Sequence, residues 1–172
     1  MKKIIAVLLL LCLSLCPAMA ENAVNWADVE PTLAENGLEG GFVSIGDTGL
    51  MMWLPNGVFY DNELTDEQVS TGIVTLLTDA EAVCSVTVTC LDIGMTIDEY
   101  MDYLKQNDIT DAEFTMLNGQ RAVAYDDAEQ DYKALSVFIS DTAVVEFIFA
   151  PASDEGFVST VSIMAASIQP IA

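Results

Sequence analysis

The stretch from Asp111 to Phe149, DAEFTMLNGQRAVAYDDAEQDYKALSVFISDTAVVEFIF, decides the fold, because alternating apolar segments in it are separated by turn signals. Asn118-Gly119 is a strong hairpin signal, since both residues tolerate positive φ angles. Ser140-Asp141 separates the next two segments and predicts a second tight hairpin. The stretch therefore predicts strands over these ranges: Asp111–Leu117, Gln120–Asp126, Tyr132–Ile139 and Thr142–Phe149.

Further strands are predicted upstream of these hairpins. Ala82–Leu91 alternates clearly, with Cys84, Val86, Val88 and Cys90 on one face, and it follows a predicted strand at Ile73–Leu77. Six residues of strand hold the two cysteines about 20 Å apart, whereas a disulfide needs Cα atoms within about 7 Å. We therefore expect Cys84 and Cys90 not to bond to each other. Two short strands are predicted near Phe42–Ile45 and Leu50–Leu54.

Three amphipathic helices are predicted around these strands. The first runs from about Trp26 to Asn36 after a capping Asn25. The capping box at Thr96-Ile97-Asp98-Glu99 opens the clearest helix, to about Asn107, and a similar box at Thr65 starts a short helical turn. The third is predicted from a capping Ser153 to about Ile168.

The order of these elements predicts the fold class. Hairpins without crossover helices indicate an antiparallel sheet, and amphipathic helices must cover it. Both faces of the last two strands are largely apolar, which favours helices on both sides. We expect an α+β fold, an α/β/α sandwich with a central antiparallel sheet covered by helices.

Residues 1–20 have the pattern of a signal peptide. Lys2 and Lys3 precede the apolar run Ile4–Cys16, and Ala18-Met19-Ala20 is the small-residue motif after which signal peptidase cuts. The run is shorter than the roughly 20 residues that span a bilayer. We expect cleavage after Ala20, a secreted or extracytoplasmic protein without a membrane span, an N-terminal helical segment at 21–41 and one domain at 42–172.

The charge balance excludes one class of partner. The chain has 27 acidic residues against 5 basic ones and a formal net charge of −22. The basic residues that follow the leader, Lys105, Arg121 and Lys133, are dispersed along the sequence. Because such a surface repels phosphate backbones, we expect no binding to nucleic acid.

The order of elements and several short motifs resemble the PsbP-like superfamily, named after an extrinsic subunit of photosystem II. The similarity covers Phe42 to Ile168 and leaves out the N-terminal segment. It implies antiparallel strands between helical layers and mostly non-enzymatic duties, such as docking to partners, assisting assembly or holding metal ions. It assigns no functional residue. The motifs are Met52-Trp53-Leu54-Pro55, Met95-Thr96-Ile97-Asp98-Glu99-Tyr100, Leu117-Asn118-Gly119-Gln120-Arg121-Ala122-Val123 and Ser167-Ile168.

The residue types present limit the possible chemistry. The sequence has no histidine, which excludes Ser-His and Cys-His couples and imidazole metal ligands. Asp127, Glu129 and Asp131 imitate the start of a calcium loop, although Tyr132 stands where its glycine belongs and Phe138 where its last glutamate belongs. These three residues are therefore candidates for weak Ca²⁺ binding, with a solvated hairpin tip as the other interpretation.

Glu146 is unusual because it lies mid-strand between Val144 and Ile148. A buried and unpartnered carboxyl group has a raised pKa, as an acid catalyst requires. The other interpretation is a polar gap in the sheet, or an ion pair with Lys133 or Arg121 on a neighbouring strand.

These observations give three functional hypotheses. The first is an exported, non-enzymatic domain that binds a protein or cell-envelope partner through an exposed apolar or aromatic patch, for which Trp26 and Trp53 are candidates. The second is a weak divalent-cation binder. The third is a carboxylate-dependent hydrolase with two carboxyl groups about 5–10 Å apart. We expect no enzyme, no catalytic residue and no cofactor, with Ca²⁺ as the alternative.

Overall fold

A computed structural model describes residues 23–171. The expected signal peptide and its cleavage site lie outside this range. The helices are α1 (Trp26–Glu35), α2 (Asp66–Ser70), α3 (Ile97–Gln106) and α4 (Glu155–Ala166). The strands are β1 (Ala23–Val24), β2 (Gly40–Ser44), β3 (Leu50–Pro55), β4 (Tyr60–Asp61), β5 (Ile73–Thr78), β6 (Ser85–Asp92), β7 (Glu113–Leu117), β8 (Gln120–Asp127), β9 (Tyr132–Phe138), β10 (Ala143–Ala150) and β11 (Gln169–Pro170).

Eight strands form a large sheet in the order β1-β7-β8-β9-β10-β6-β5-β4. Every neighbouring pair is antiparallel except β1 and β7, which run parallel. The predicted α+β class with a largely antiparallel sheet is confirmed.

The two faces of the large sheet are covered by different elements. Side chains alternate along β10, so that Val145 and Phe147 point to one face and Val144 to the other. Val145 and Phe147 belong to a core that includes Met164 of α4. Val144 packs in a second cluster with Tyr100 and other residues of α3. Helices therefore lie on both faces, as the sandwich prediction requires.

The remaining strands form a separate sheet that the sequence did not predict. Its order is β11-β3-β2. Leu50 and Met52 on β3 belong to the same core as α4 and the large sheet, whereas Trp53 points the opposite way and packs with Trp26 of α1. The small sheet thus packs by one face against the core that the large sheet and α4 share.

One predicted hairpin is confirmed, and in the other the pairing register differs from the prediction by one residue. Leu117 pairs with Gln120 across Asn118-Gly119, and both loop residues have positive φ angles. In the second hairpin Phe138 pairs with Val144, so the loop is longer than Ser140-Asp141. The Ser140 side chain accepts hydrogen bonds from the backbone N–H groups of Thr142 and Ala143, which stabilises this wider loop.

The helix-start predictions are also partly confirmed. Thr65 and Thr96 both form complete capping boxes. The capping residue of α4 is Asp154 rather than Ser153, because the Asp154 carboxylate accepts the Phe157 N–H. Asn25 stands at the start of α1 but makes no capping hydrogen bond.

Two further expectations concern cysteines and the membrane. Cys84 and Cys90 are free thiols, as predicted, and both are half-buried. The pKa of the Cys84 thiol is raised, first by burial and then by the negative charge of Asp79. None of the helices between residues 23 and 171 is both long and apolar enough to cross a bilayer.

Candidate binding groove and carboxylate cluster

Glu146 lies in the middle of β10, on the face of the large sheet that α3 covers. Its Oε1 accepts hydrogen bonds from the hydroxyls of Tyr100, Tyr125 and Ser136, at 3.0, 2.9 and 3.0 Å. Tyr100 comes from α3, Tyr125 from β8, and Ser136 stands directly opposite Glu146 on β9. One carboxylate oxygen therefore connects a helix to three strands. We call these four residues the carboxylate–hydroxyl cluster.

The pKa values of the two tyrosines in the cluster are raised. Burial raises the pKa of Tyr100 to about 12, and the negative charge of Glu146 contributes to the shift. The same two causes raise the pKa of Tyr125. Both phenols therefore remain protonated well above neutral pH, and each keeps its proton available for donation to Oε1.

A further hydroxyl lies beside the cluster. Thr89 stands on β6 directly opposite Glu146. Its Oγ1 atom is buried and has no hydrogen-bond partner within the part of the chain that the structure describes. Buried hydroxyls without a partner are rare in folded proteins and cost stability. The Thr89 hydroxyl therefore adds a polar atom beside the cluster without stabilising it through a hydrogen bond.

The predicted ion pairs of Glu146 are wrong. Lys133 pairs with Asp126 on the adjacent strand, and Arg121 pairs with Asp141 at 3.1 Å. Both pairs lie on exposed or half-exposed side chains, where an ion pair contributes little stability. The alternative of a polar gap describes Glu146 better, since hydroxyls fill its surroundings.

Two of the three calcium-site candidates accept hydrogen bonds from other residues, Asp127 within its own turn and Asp131 from the loop before α4. The Asp127 carboxylate accepts the N–H groups of Glu129 and Gln130. The Asp131 carboxylate accepts both the N–H and the hydroxyl of Ser153, each at 2.8 Å. Across residues 23–171 no group of three or more acidic, cysteine or histidine side chains is placed to hold a metal ion. Calcium binding through Asp127, Glu129 and Asp131 stays a prediction.

The raised phenol pKa values predict a pH dependence of stability. The unfolded chain releases the Tyr100 proton near pH 10, whereas the folded chain holds it to about pH 12. Stability is therefore fully present below pH 10 and falls as the pH rises through this window, by about 2–3 kcal/mol for Tyr100. Denaturant unfolding at a series of pH values measures this loss of stability.

Two variants test whether Tyr100 causes the loss. Tyr100→Phe should reduce the fall in unfolding free energy, whereas Tyr60→Phe, at an exposed position outside the cluster, should not. Equal pH profiles for both variants would contradict the assignment to Tyr100.

A groove of about 480 Å³ lies between α1 and the small sheet. Its lining is aromatic and apolar with two exposed carboxylates at its rim, and it involves these residues: Trp26, Leu38, Phe42, Trp53, Glu30 and Glu39. The Trp26 ring lies edge-on to Phe42, with centroids 5.4 Å apart, and 6.0 Å from the Trp53 ring. We call this site the tryptophan groove.

The sequence prediction for the tryptophans is partly wrong. Trp26 and Trp53 are 8% and 7% exposed, so they do not form an exposed patch. They pack together because α1 lies over the outer face of β3. Phe42 is the exposed aromatic residue of the groove, at 39%. The two tryptophans form its floor, and they are the only tryptophans in the sequence.

Side chains distant in sequence hold the backbone at both tryptophans. The Asn118 side chain accepts a hydrogen bond from the backbone N–H of Trp26 at 2.6 Å and donates to the carbonyls of Ala166 and Ile168 at the end of α4. The buried Ser167 hydroxyl accepts a hydrogen bond from the backbone N–H of Trp53 at 2.8 Å. The β7–β8 turn and the C-terminus of α4 therefore hold the backbone segments that carry the two tryptophans.

The fold of this chain is similar to that of solved structures, although its sequence matches no family model. A scan against protein-family models finds no match, and a search of curated proteins finds none either. Among solved structures, the chain is similar to the solution structure of cyanobacterial PsbP (CyanoP) from Synechocystis sp. PCC 6803. The TM-score is 0.55 at 15% sequence identity, and the match covers 78% of this chain and 94% of that one. The chain has a PsbP-like fold. The resemblance found in the sequence is thus confirmed at the level of the PsbP-like fold.

Proposed function

We propose that this protein is a non-enzymatic, extracytoplasmic domain that binds a protein or cell-envelope partner through the tryptophan groove. The groove itself is the main support, because aromatic residues are the type most enriched at the anchor points of protein interfaces. Phe42 is accessible at its edge, and Trp26 and Trp53 form the floor. The signal-peptide pattern of residues 1–20 supports the location.

The remaining polar site favours a structural role over a catalytic one. Glu146 Oε1 is already engaged by three hydroxyl donors. A carboxylate oxygen that already accepts three hydrogen bonds within the protein is poorly placed to contact a substrate. The absence of histidine from the sequence removes the commonest general base. The hydrolase hypothesis therefore stays without a specific observation in its favour.

Site-specific photocrosslinking tests the proposal. A photoreactive residue is placed at Glu39 on the groove rim or, as the matched control, at the exposed acidic residue Asp102 on α3. In cells that export the full-length protein, we expect a discrete crosslinked adduct from position 39 and none from position 102. Equal adduct yields at the two positions, or an adduct from position 102 alone, would place the binding surface elsewhere.

A further inference from the structure

The outer edge of β2 borders the tryptophan groove. Within residues 23–171, β2 pairs with β3 on one side and with no strand on the other. All five residues of β2, Gly40–Ser44, are exposed. Natural edge strands are usually protected by lysine, proline, a bulge or a covering element, because an open edge recruits other chains. The sequence GGFVS has neither lysine nor proline.

The strand register shows which backbone groups are available on this edge. The N–H of Ile45 donates to Leu50, and the N–H of Asn56 donates to Glu39. Hydrogen-bonded pairs alternate in an antiparallel ladder, so Val43 and Gly41 bond to β3 between those two pairs. The N–H and C=O groups of Gly40, Phe42 and Ser44 then point outward. The backbone N–H of Trp53 agrees with this register, because it donates to the Ser167 hydroxyl and not to β2.

The negative charge around β2 indicates which kind of partner strand can pair with its open edge. Glu30 and Glu39 line the groove beside β2, and the whole chain has a formal net charge of −22. A second copy of the chain would bring the same negative charge to the interface. A basic segment instead gains Coulomb attraction over the acidic surface, and its cations can reach the carboxylates or the tryptophan and phenylalanine rings.

We propose that an extended, arginine- or lysine-bearing segment of a partner protein adds to β2 as a fourth strand of the small sheet. Its backbone hydrogen-bonds to Gly40, Phe42 and Ser44, and alternate side chains enter the tryptophan groove. This inference rests on the proposed function and names the chemistry of the partner. Strand addition supplies affinity through the backbone, and the groove carboxylates supply the preference for basic side chains.

Peptide binding to the full-length protein tests the inference. The probe is an octapeptide with blocked ends in which arginine alternates with valine, and the matched control has glutamate in place of arginine. We expect the arginine peptide to change the tryptophan fluorescence, which reports on this groove because Trp26 and Trp53 are the only tryptophans. Hydrogen exchange should slow at Gly40, Phe42 and Ser44. The glutamate peptide should do neither.

Two changes separate strand addition from simple charge attraction. Ser44→Pro removes one outward N–H, which an edge strand tolerates, and should weaken binding about tenfold, whereas Ser44→Ala keeps that N–H and should bind normally. N-methylation of every second peptide residue removes the peptide N–H donors without altering the protein. Only one of the two sets of alternate residues faces β2, and methylation of that set should weaken binding at least as much as Ser44→Pro does.

Several results would overturn the inference. If neither N-methylation of the peptide nor Ser44→Pro lowers the affinity of the arginine peptide, the peptide is attached by charge alone. Protection of Gly40, Phe42 and Ser44 in the chain without peptide, lost together with a dimer in Ser44→Pro, shows that a second copy occupies the edge. No fluorescence or exchange response to the arginine peptide removes the basic segment as occupant. In each case the crosslink from position 39 reports separately on the proposed function.

Discussion

Glu146→Leu should destabilise the protein by about 3 kcal/mol or more, because it removes the shared acceptor of three hydroxyl donors. Leucine approximates the volume of glutamate but accepts no hydrogen bond. Tyr100, Tyr125 and Ser136 would then compete for the acceptors that remain around them. Each buried hydroxyl left without a partner costs about 1–3 kcal/mol, although the contact between Tyr100 and Ser136 at 3.0 Å can satisfy one of them. Denaturant unfolding of both proteins measures the difference.

Three control variants separate hydrogen bonding from charge and volume. Glu146→Gln keeps an acceptor oxygen, so its cost should stay near 1 kcal/mol. Combining Glu146→Leu with Tyr100→Phe should cost less than the sum of the two single changes, because a donor disappears with its acceptor. Thr89→Val removes the neighbouring unpartnered hydroxyl and should leave stability unchanged or increase it. Additive costs for Glu146→Leu and Tyr100→Phe would show that the cluster does not act as a unit.

Local signals in the sequence were sufficient for several elements. Asn118-Gly119 forms the predicted hairpin because its turn needs positive φ at both residues. Thr96 and Glu99 form the predicted capping box because the bonds span only three residues. The three pairs of strands that each form a hairpin in the predicted fold are all paired in the structure. Each of these features depends on residues that are close in sequence.

The carboxylate–hydroxyl cluster could not be predicted, because it depends on a register one residue away from the predicted one. A two-residue loop at Ser140-Asp141 would place Leu135 opposite Glu146, whereas the observed loop places Ser136 there. A shift of one residue exchanges the two faces of a strand. The available signal was Ser140 itself, whose hydroxyl accepts two loop N–H groups. Recognition of that turn would have brought Ser136 and Glu146 together.

The tryptophan groove was beyond sequence reasoning for a different reason. The backbone at its two tryptophans is held by hydrogen bonds to residues far away in the chain, from Trp26 to Asn118 and from Trp53 to Ser167. No periodicity or capping pattern reports such contacts. The sequence identified Trp26 and Trp53 as candidates for binding, but their burial follows from the packing of α1 on the small sheet. The exposed surface of the groove therefore belongs to Phe42 and to the backbone of β2.

Gly40→Ala should destabilise the protein by about 2–4 kcal/mol and alter its tryptophan fluorescence. A Cβ atom on Gly40 would lie 2.3 Å from two carbon atoms of the Trp53 ring and from the carbonyl oxygen of Leu54. No real contact is that short, so either the indole or β2 must move. Overpacking of this kind usually costs about 1–3 kcal/mol, and the hydrogen bond from the backbone N–H of Trp53 to the Ser167 hydroxyl resists a shift of β3 away from β2.

Gly41→Ala is the matched control, because it makes the same change one residue further along β2. A Cβ at Gly41 meets no atom within 4 Å, and alanine restricts the unfolded chain more than glycine does. We expect Gly41→Ala to be neutral or stabilising by up to about 1 kcal/mol. Equal unfolding free energies and fluorescence for the two variants would show that Gly40 does not pack against Trp53. If only Gly40→Ala is affected and it also binds the arginine peptide more weakly, the contact between Gly40 and Trp53 shapes the groove together with the edge of β2.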